Sequence, residues 1–199
     1  MRKIPCNLEN PIDNVLYDLS EWLCPFFYKT GHTPNMITTY SLITGLLSCY
    51  FLWKGHVLLF GIFYAVSFFF DCMDGHFARK YNMTSKFGDM YDHIKDVVVY
   101  MILIIVIYMK CSKNISIPMI LLLLLFTYLL SMHMGCQQKY CTKDDENPDD
   151  SKFLNTVRSL CPNKESIKWT RFFGAGTYNL FLILAISYVC YNRSENCKF

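Results

Sequence analysis

Apolar positions along this chain fall into blocks, five of which read as membrane spans, the shorter ones completed by the charged segments that adjoin them. Met36–Trp53 is mostly apolar and would make about 27 Å of helix at 1.5 Å rise per residue. His56–Phe70 is the second block, and it runs directly into the charged stretch Asp71–Arg79. The third has the reverse order: Asp89, Asp92, His93, Lys95 and Asp96 come first and the apolar Val97–Met109 follows. Ile115–Met132 and Phe172–Tyr191 are the fourth and fifth, and the early Pro118 is tolerable in a membrane helix. Ahead of them, Pro11–Tyr28 interleaves Val15, Leu16, Leu19, Trp22, Leu23, Phe26 and Phe27 with Asp13, Asp18, Ser20 and Glu21. That spacing predicts an amphipathic helix lying in the membrane interface.

The expected fold is therefore an all-α integral membrane protein. It has an N-terminal interfacial segment over residues 1–30 and a membrane domain over 31–199 with five spans and a polar loop over 133–170. A surface helix is expected around Phe153–Leu160.

Composition agrees with this. Of 199 residues, 53% are hydrophobic and 18% charged, against about 25% charged in ordinary soluble domains. A net charge of +3 is too small for nucleic-acid binding as the main role. Several of the ten cysteines, among them Cys49, Cys72 and Cys190, sit inside apolar runs, where thiols act as small hydrophobes, so most are expected to be reduced. His133, Cys136, Cys141 and Cys161 match no compact zinc spacing and read as ordinary loop residues. Met1–Glu9 lacks the apolar core of a cleavable signal, which leaves the first span as the expected insertion signal. With the N-terminus in the cytosol, fourteen Lys and Arg fall on the inside and five on the outside, so the Asp-rich junction of spans two and three is expected to face the cytosol.

The chemistry concentrates at that junction. Asp71 and Asp74 lie at i, i+3 near the end of one helix, Asp92 and Asp96 at i, i+4 near the start of the next, and each pair shares a helix face. A short link lets the two faces meet, giving a four-carboxylate cluster. An unpaired Asp at the bilayer centre costs roughly 2.5 to 3.5 kcal/mol, so such a cluster demands counter-charge. Arg79, Lys86 and Lys95 are too few and too poor a fit for closely set oxygens. One or two divalent cations answer the demand, and all-oxygen ligation favours Mg²⁺ or Mn²⁺, ions that leave positions open for phosphates. Gly75, Ala78 and Gly88 keep the approach to the acids clear, and Arg79 offers a planar donor fork to a phosphate. Asp89 adds an acid that is either solvated or a further metal contact. His76 and His93 flank the acids and read as supporting or lipid-interface residues.

The stretch Asp71-x-x-Asp74-Gly75-x-x-Ala78-Arg79, eight residues, Gly88-x-x-x-Asp92-x-x-x-Asp96 resembles the signature of the CDP-alcohol phosphotransferase family, also called the class-I CDP-alcohol phosphatidyltransferases, at every fixed position. The resemblance extends over roughly Pro34–Met109 and is nearest the phosphatidylinositol synthase branch. It implies a phospholipid-synthesis transferase that displaces CMP from a CDP-linked alcohol, with CDP-diacylglycerol favoured, by attack of an acceptor alcohol. By the same resemblance Asp71 and Asp92 bridge two metal ions, Asp74 completes one ion site, and Asp96 completes the other and acts as general base. Asn35, Thr38, Gly75, Ala78, Arg79, Ser85 and Gly88 would line the CDP site, and the protein would work as a homodimer. Family members commonly have six spans, one more than is counted here, so by the resemblance either the 133–170 stretch hides a short span or the last helix is absent.

Thr33-Pro34-Asn35-Met36-Ile37-Thr38 and Asp92-His93 look instead like the choline and ethanolamine phosphotransferases, which use diacylglycerol as acceptor. Two readings from other classes stay open: a catalytically silent CDP-binding scaffold, and a divalent-cation pathway lined by the acids. As an alternative to nucleotide contact, Asn35, Thr38 and Ser85 read as ordinary helix caps.

Overall fold

The computed structural model describes residues 7–140 and 157–196, and everything in it that is regular is helical. The long helices are α1 (Pro11–Lys29), α2 (Pro34–Trp53), α3 (Val57–Lys80), α4 (Lys86–Cys111), α5 (Ile117–Tyr140) and α6 (Ala175–Asn196). Three short turns, Lys164–Ser166, Ile167–Thr170 and Arg171–Phe173, precede α6. The described residues form two compact units: 16–116 with 179–196, and 7–15 with 117–140 and 157–178.

Four stretches are long and apolar enough to cross a membrane: Pro34–Trp53, Val57–Lys80, Ile117–Tyr140 and Lys164–Tyr191. The third expected span does not join them. Its helix α4 has 26 residues, which is length enough, but Asp92, Lys95 and Asp96 at one end and Lys110 at the other leave every 18-residue stretch with more than two charges. The outward faces are what a bilayer would cover, with Leu58 78%, Ile117 74% and Leu184 60% exposed. The expected surface helix at Phe153–Leu160 falls mostly outside the described residues, as does the middle of the polar loop; residues 164–173 are short turns leading into α6.

In the larger unit α2 is the central helix and packs on both α3 and α4. Thr33 caps it by accepting from the Met36 amide at 3.4 Å, and Pro34 fills the first turn, where a missing N–H does no harm. Its buried stripe, Thr38, Ser41, Gly45, Ser48, Cys49 and Leu52, is mostly small, which lets neighbouring backbones approach closely. Ser41 donates to the Ser67 carbonyl at 2.9 Å and Ser67 donates back to the Ser41 carbonyl at 2.8 Å. At Gly45 a Cβ would stand 3.0 Å from both Ser67 Oγ of α3 and Val99 Cγ2 of α4, so this position has no room for a side chain. The other end of the unit is closed by α6: Tyr64 donates to Asn179 Oδ1 at 3.0 Å, Asn114 donates to the Val189 carbonyl at 3.0 Å, and Cys111 is disulfide-bonded to Cys190.

The outer face of α1 is an apolar stripe, Val15, Leu19, Trp22 and Phe26, all exposed, while Ser20 and Cys24 are fully buried. An apolar face turned away from the protein fits a helix lying in the membrane interface.

In the smaller unit, Asn10 starts α1. Its Oδ1 accepts from the Ile12 amide at 2.9 Å while its Nδ2 donates to the Arg171 carbonyl at 2.7 Å and to Thr177 Oγ1 at 2.8 Å. Gly174 and Gly176 make this close approach possible, because a Cβ at Gly174 would come 2.8 Å from Asn10 Cβ and one at Gly176 2.6 Å from Asp13 Oδ1. Burial raises the Asp13 carboxyl from 3.8 to about 7. His133 of α5 is buried between Thr170 Oγ1, 3.2 Å from its Nδ1, and Gln137 Nε2, 2.8 Å from its Nε2. Cys136 is disulfide-bonded to Cys161, so neither thiol is free for a metal; Cys141 lies outside the described residues.

The expectation that most cysteines are reduced is thus corrected for four of them: Cys111, Cys136, Cys161 and Cys190 are paired, while Cys24, Cys49 and Cys72 are free thiols. Burial in an apolar run does not identify a free thiol when helix packing sets a second cysteine beside it.

Two outcomes follow. Replacing Cys111 and Cys190 by Ser releases a constraint spanning 79 residues of sequence and is expected to lower stability by about 2 to 4 kcal/mol, read as a fall in thermal midpoint of the purified protein. Asp13 is held neutral in the fold, so its contribution to stability is full below pH 3.8 and declines as pH rises towards about 7. Asp13→Asn is therefore expected to flatten the loss of thermal midpoint between pH 4.5 and 7.5; an unchanged slope would show that the native carboxyl ionises freely.

Candidate active site

The link between α3 and α4 is five residues long, and it turns through Asn82 in the left-handed region, φ 54°, a conformation that Asn tolerates. Ser85 then caps α4, accepting from the Gly88 amide at 3.0 Å. With α2 packed on both helices, this tight return sets the last turns of α3 and the first turns of α4 around the first turns of α2.

Carboxylate oxygens of Asp71, Asp92 and Asp96 lie within 4.8 Å of one another. Among them sits the Lys95 ammonium, paired with Asp71, 3.0 Å from Asp92 Oδ1 and 2.8 Å from Asp96 Oδ1. The Lys95 side chain is only 2% exposed, and Ser41 Oγ accepts from it at 3.4 Å. Asp92 Oδ1 is buried, and its contact with the Lys95 ammonium is an ion pair without the alignment of a hydrogen bond. Asp74 stands apart from this triad. It is buried, and Thr38 Oγ1 donates to its Oδ2 at 2.6 Å.

A cleft of about 210 Å³ opens beside these acids. It is lined by Asn35 and Thr38 from α2, by Asp74, Gly75, Ala78 and Arg79 from α3, and by Ser85, Gly88 and Asp92 around the start of α4. Every residue expected to contact a nucleotide thus faces one space. Pro34, Met83, Thr84 and Asp89 complete the lining without having been singled out for it, and Asp89 is thereby a rim residue of the cleft. The glycines mark where the walls come closest. A Cβ on Gly88 would stand 3.0 Å from Asn35 Oδ1 and 3.1 Å from Ser85 Oγ, and one on Gly75 3.1 Å from an Arg79 guanidinium nitrogen. Of the three residues read as possible caps, Ser85 is one; the cap of α2 is Thr33.

His76 and His93 are not among the clustered acids. His76 is buried against α1, its Nε2 2.6 Å from Glu21 Oε2, and Lys80 holds the other Glu21 oxygen at 2.5 Å. The Lys80 ammonium keeps the Glu21 carboxyl below the usual range. Tyr28 stacks on Tyr81 with ring centroids 4.0 Å apart, so α1 is fastened along the end of α3. His93 is exposed, and its Nδ1 lies 2.8 Å from the Asp89 carbonyl.

Lys95 is the residue that sequence reasoning undervalued, although a signal was present. Lys95, Val99, Leu103 and Val106 form the buried stripe of α4 at helical spacing, so the period already assigned this lysine to the inward face.

The donor set suits a hard divalent cation: three carboxylates with oxygens within reach of one another. Comparison with protein families adds a direct finding, since the model for CDP-alcohol phosphatidyltransferase matches residues 31–148. The chain belongs to that family. Among curated proteins it is similar to the archaetidylinositol phosphate synthase of Pyrococcus horikoshii, 38% identical over 96 residues, covering 48% of this chain and 47% of that protein. It is also similar to the CDP-diacylglycerol–inositol 3-phosphatidyltransferases of Candida albicans (35% over 65 residues, 33% of this chain and 28% of the relative) and Saccharomyces cerevisiae (38% over 65 residues, 33% and 29%). The matched stretch spans less than half the length of each of these relatives. No solved structure matches the chain.

Because α1 is held to α3 by ionic contacts through Glu21, whose side chain is 54% exposed, Glu21→Ala is expected to loosen α1 modestly. Trypsin cleavage after Lys29 should quicken about two- to fivefold, as for loss of a partly exposed pair, with no change in the rate of cleavage elsewhere.

Proposed function

We propose that this family member is a metal-dependent transferase of phospholipid synthesis that takes CDP-diacylglycerol as donor and a polyol of the inositol class as acceptor, releasing CMP. The observation that carries the reading is the convergence of three helices on one cleft, in which acids, Arg79 and two closely approached glycines meet. The inositol-type acceptor is supported by the names of the relatives, two inositol phosphatidyltransferases and an archaetidylinositol phosphate synthase.

Arg79 binds the pyrophosphate in a cleft walled by Gly75, Ala78, Ser85 and Gly88, with Asn35 and Thr38 closing it from α2. Thr38 also orients Asp74 by its hydrogen bond. Asp71, Asp74, Asp92 and Asp96 are the residues to hold divalent metal, Mg²⁺ or Mn²⁺. A bound divalent ion supplies screening of the pyrophosphate charge and lowers the barrier to CMP departure. Asp96 takes the proton of the acceptor hydroxyl as its oxygen attacks the phosphorus that carries the lipid. The bond from that phosphorus to the oxygen of CMP breaks, CMP leaves with the electron pair, and a phosphodiester lipid forms. The site faces the cytosol, a reading supported by the Lys and Arg bias of the loops, and the protein works as a homodimer, as its family resemblance implies.

The test is CMP release by purified protein in lipid, supplied with CDP-diacylglycerol and inositol, inositol phosphate, glycerol 3-phosphate or serine, and separately with CDP-choline or CDP-ethanolamine and diacylglycerol. Release with an inositol-class acceptor, lost with chelator and reduced about 10²- to 10⁴-fold by Asp96→Asn, is expected. Turnover only with the CDP-aminoalcohols would replace the donor and acceptor named here. CDP binding without release from any pair would leave a nucleotide-binding scaffold.

A further inference from the structure

The carboxylate cluster already contains a cation of its own. Lys95 reaches from α4 into the triad and pairs with Asp71, Asp92 and Asp96 together, and its fourth neighbour is Ser41 Oγ of α2 at 3.4 Å. Its side chain is 2% exposed, so the ammonium is no surface charge that swings aside into water. It lies on the buried stripe of α4 with Val99, Leu103 and Val106. Ser41 itself is buried and engaged with Ser67 on α3, which leaves the lysine head enclosed by three helices.

We infer that the Lys95 ammonium is a permanent member of the cluster that stands where a second metal ion would otherwise be held, so that this chain binds one divalent ion and not two. This rests on the transferase reading only in taking the acids as metal ligands.

Geometry sets the count. Asp71, Asp92 and Asp96 contribute three negative charges and Lys95 one positive charge, so within the triad one divalent ion brings the sum to zero, while Asp74, outside the triad, adds one negative charge to the wider site. A second divalent ion on the triad would stand beside an ammonium in direct contact with its ligands, a repulsion that a low-dielectric setting strengthens. The oxygens are also partly committed. Asp96 Oδ1 and an oxygen of Asp71 each hold the ammonium at hydrogen-bond distance, and an oxygen that accepts from Lys95 has fewer lone pairs to share between two metals. Asp74, with its Oδ2 bound by Thr38, is the remaining acid of the signature and lies outside the triad. A lysine in this place further implies that the triad stays assembled before any metal arrives, since its mutual repulsion is already offset.

The experiment is Mn²⁺ binding to the full chain in detergent, with no nucleotide or lipid substrate, by equilibrium dialysis with metal analysis and by electron paramagnetic resonance. The wild type is expected to saturate at one Mn²⁺ per chain with the spectrum of an isolated ion. Lys95→Met, which keeps the length and removes the charge, is expected to take up two, with the spin-coupled signal of a neighbouring pair, and Lys95→Arg to remain at one. Two coupled ions in the wild type would overturn the inference whatever the variants do, as would no bound ion at all, and so would a single ion in a monodisperse Lys95→Met. Because metal is counted without turnover, a protein that binds one Mn²⁺ yet releases no CMP would refute the proposed reaction and leave this inference standing.

Discussion

Three aspartates can share a few ångströms at the edge of a membrane only if cationic charge lies among them, and much of the larger unit is arranged around that condition. On insertion scales each unpaired Asp costs roughly 2.5 to 3.5 kcal/mol at the bilayer centre, so the triad would cost on the order of 10 kcal/mol if it were deep and bare. The protein answers with Lys95, whose ammonium meets all three carboxylates from a side chain almost closed to solvent. A buried ammonium is itself unfavourable unless each donor is used. The triad and Ser41 supply those acceptors, so acids and lysine are each tolerable only because the other is present.

Bringing these groups together depends on α2. Its small residues let α3 and α4 pack against it closely, with Gly45 at the tightest point and the paired Ser41 and Ser67 hydrogen bonds holding the register. That register sets Thr38 against Asp74 and Asn35 against Gly88, so one wall of the cleft comes from a helix that carries none of the signature acids. The five-residue turn through Asn82 and the Ser85 cap then fix where α4 starts relative to the end of α3. Cleft and cluster are thus two faces of one helix junction: open space on the side of Arg79 and the glycines, charge on the side of Lys95.

The helix α1 has a different relation to the same junction. Its polar contacts, Glu21 to His76 and Lys80, fasten it along the end of α3, while Val15, Leu19, Trp22 and Phe26 remain exposed as an apolar stripe. A helix held by one face and apolar on the other suits the boundary between protein and lipid. It also explains why His76, within the signature segment, takes no place among the acids: a helix turns about 100° per residue, and His76 points from α3 towards α1.

The fold class, the order of the long helices and the amphipathic character of α1 were legible in the sequence because each follows from local periodicity or from spacing along a single helix, whereas the residues expected around the cleft came from the resemblance of the signature to a known family. Apolar length sets a membrane helix, and i, i+3 and i, i+4 spacing sets which acids share a face. Lys95 was legible as an inward position by the same rule but not as the partner of Asp71, which stands 24 residues away on another helix. Only the tertiary structure decided the pairings: Cys111 with Cys190, Cys136 with Cys161, Asp74 with Thr38, His76 with Glu21, and the lysine with three acids at once. Such contacts join separate helices, and which faces meet depends on how small residues and turns let the helices approach, a property that no single segment of the chain carries.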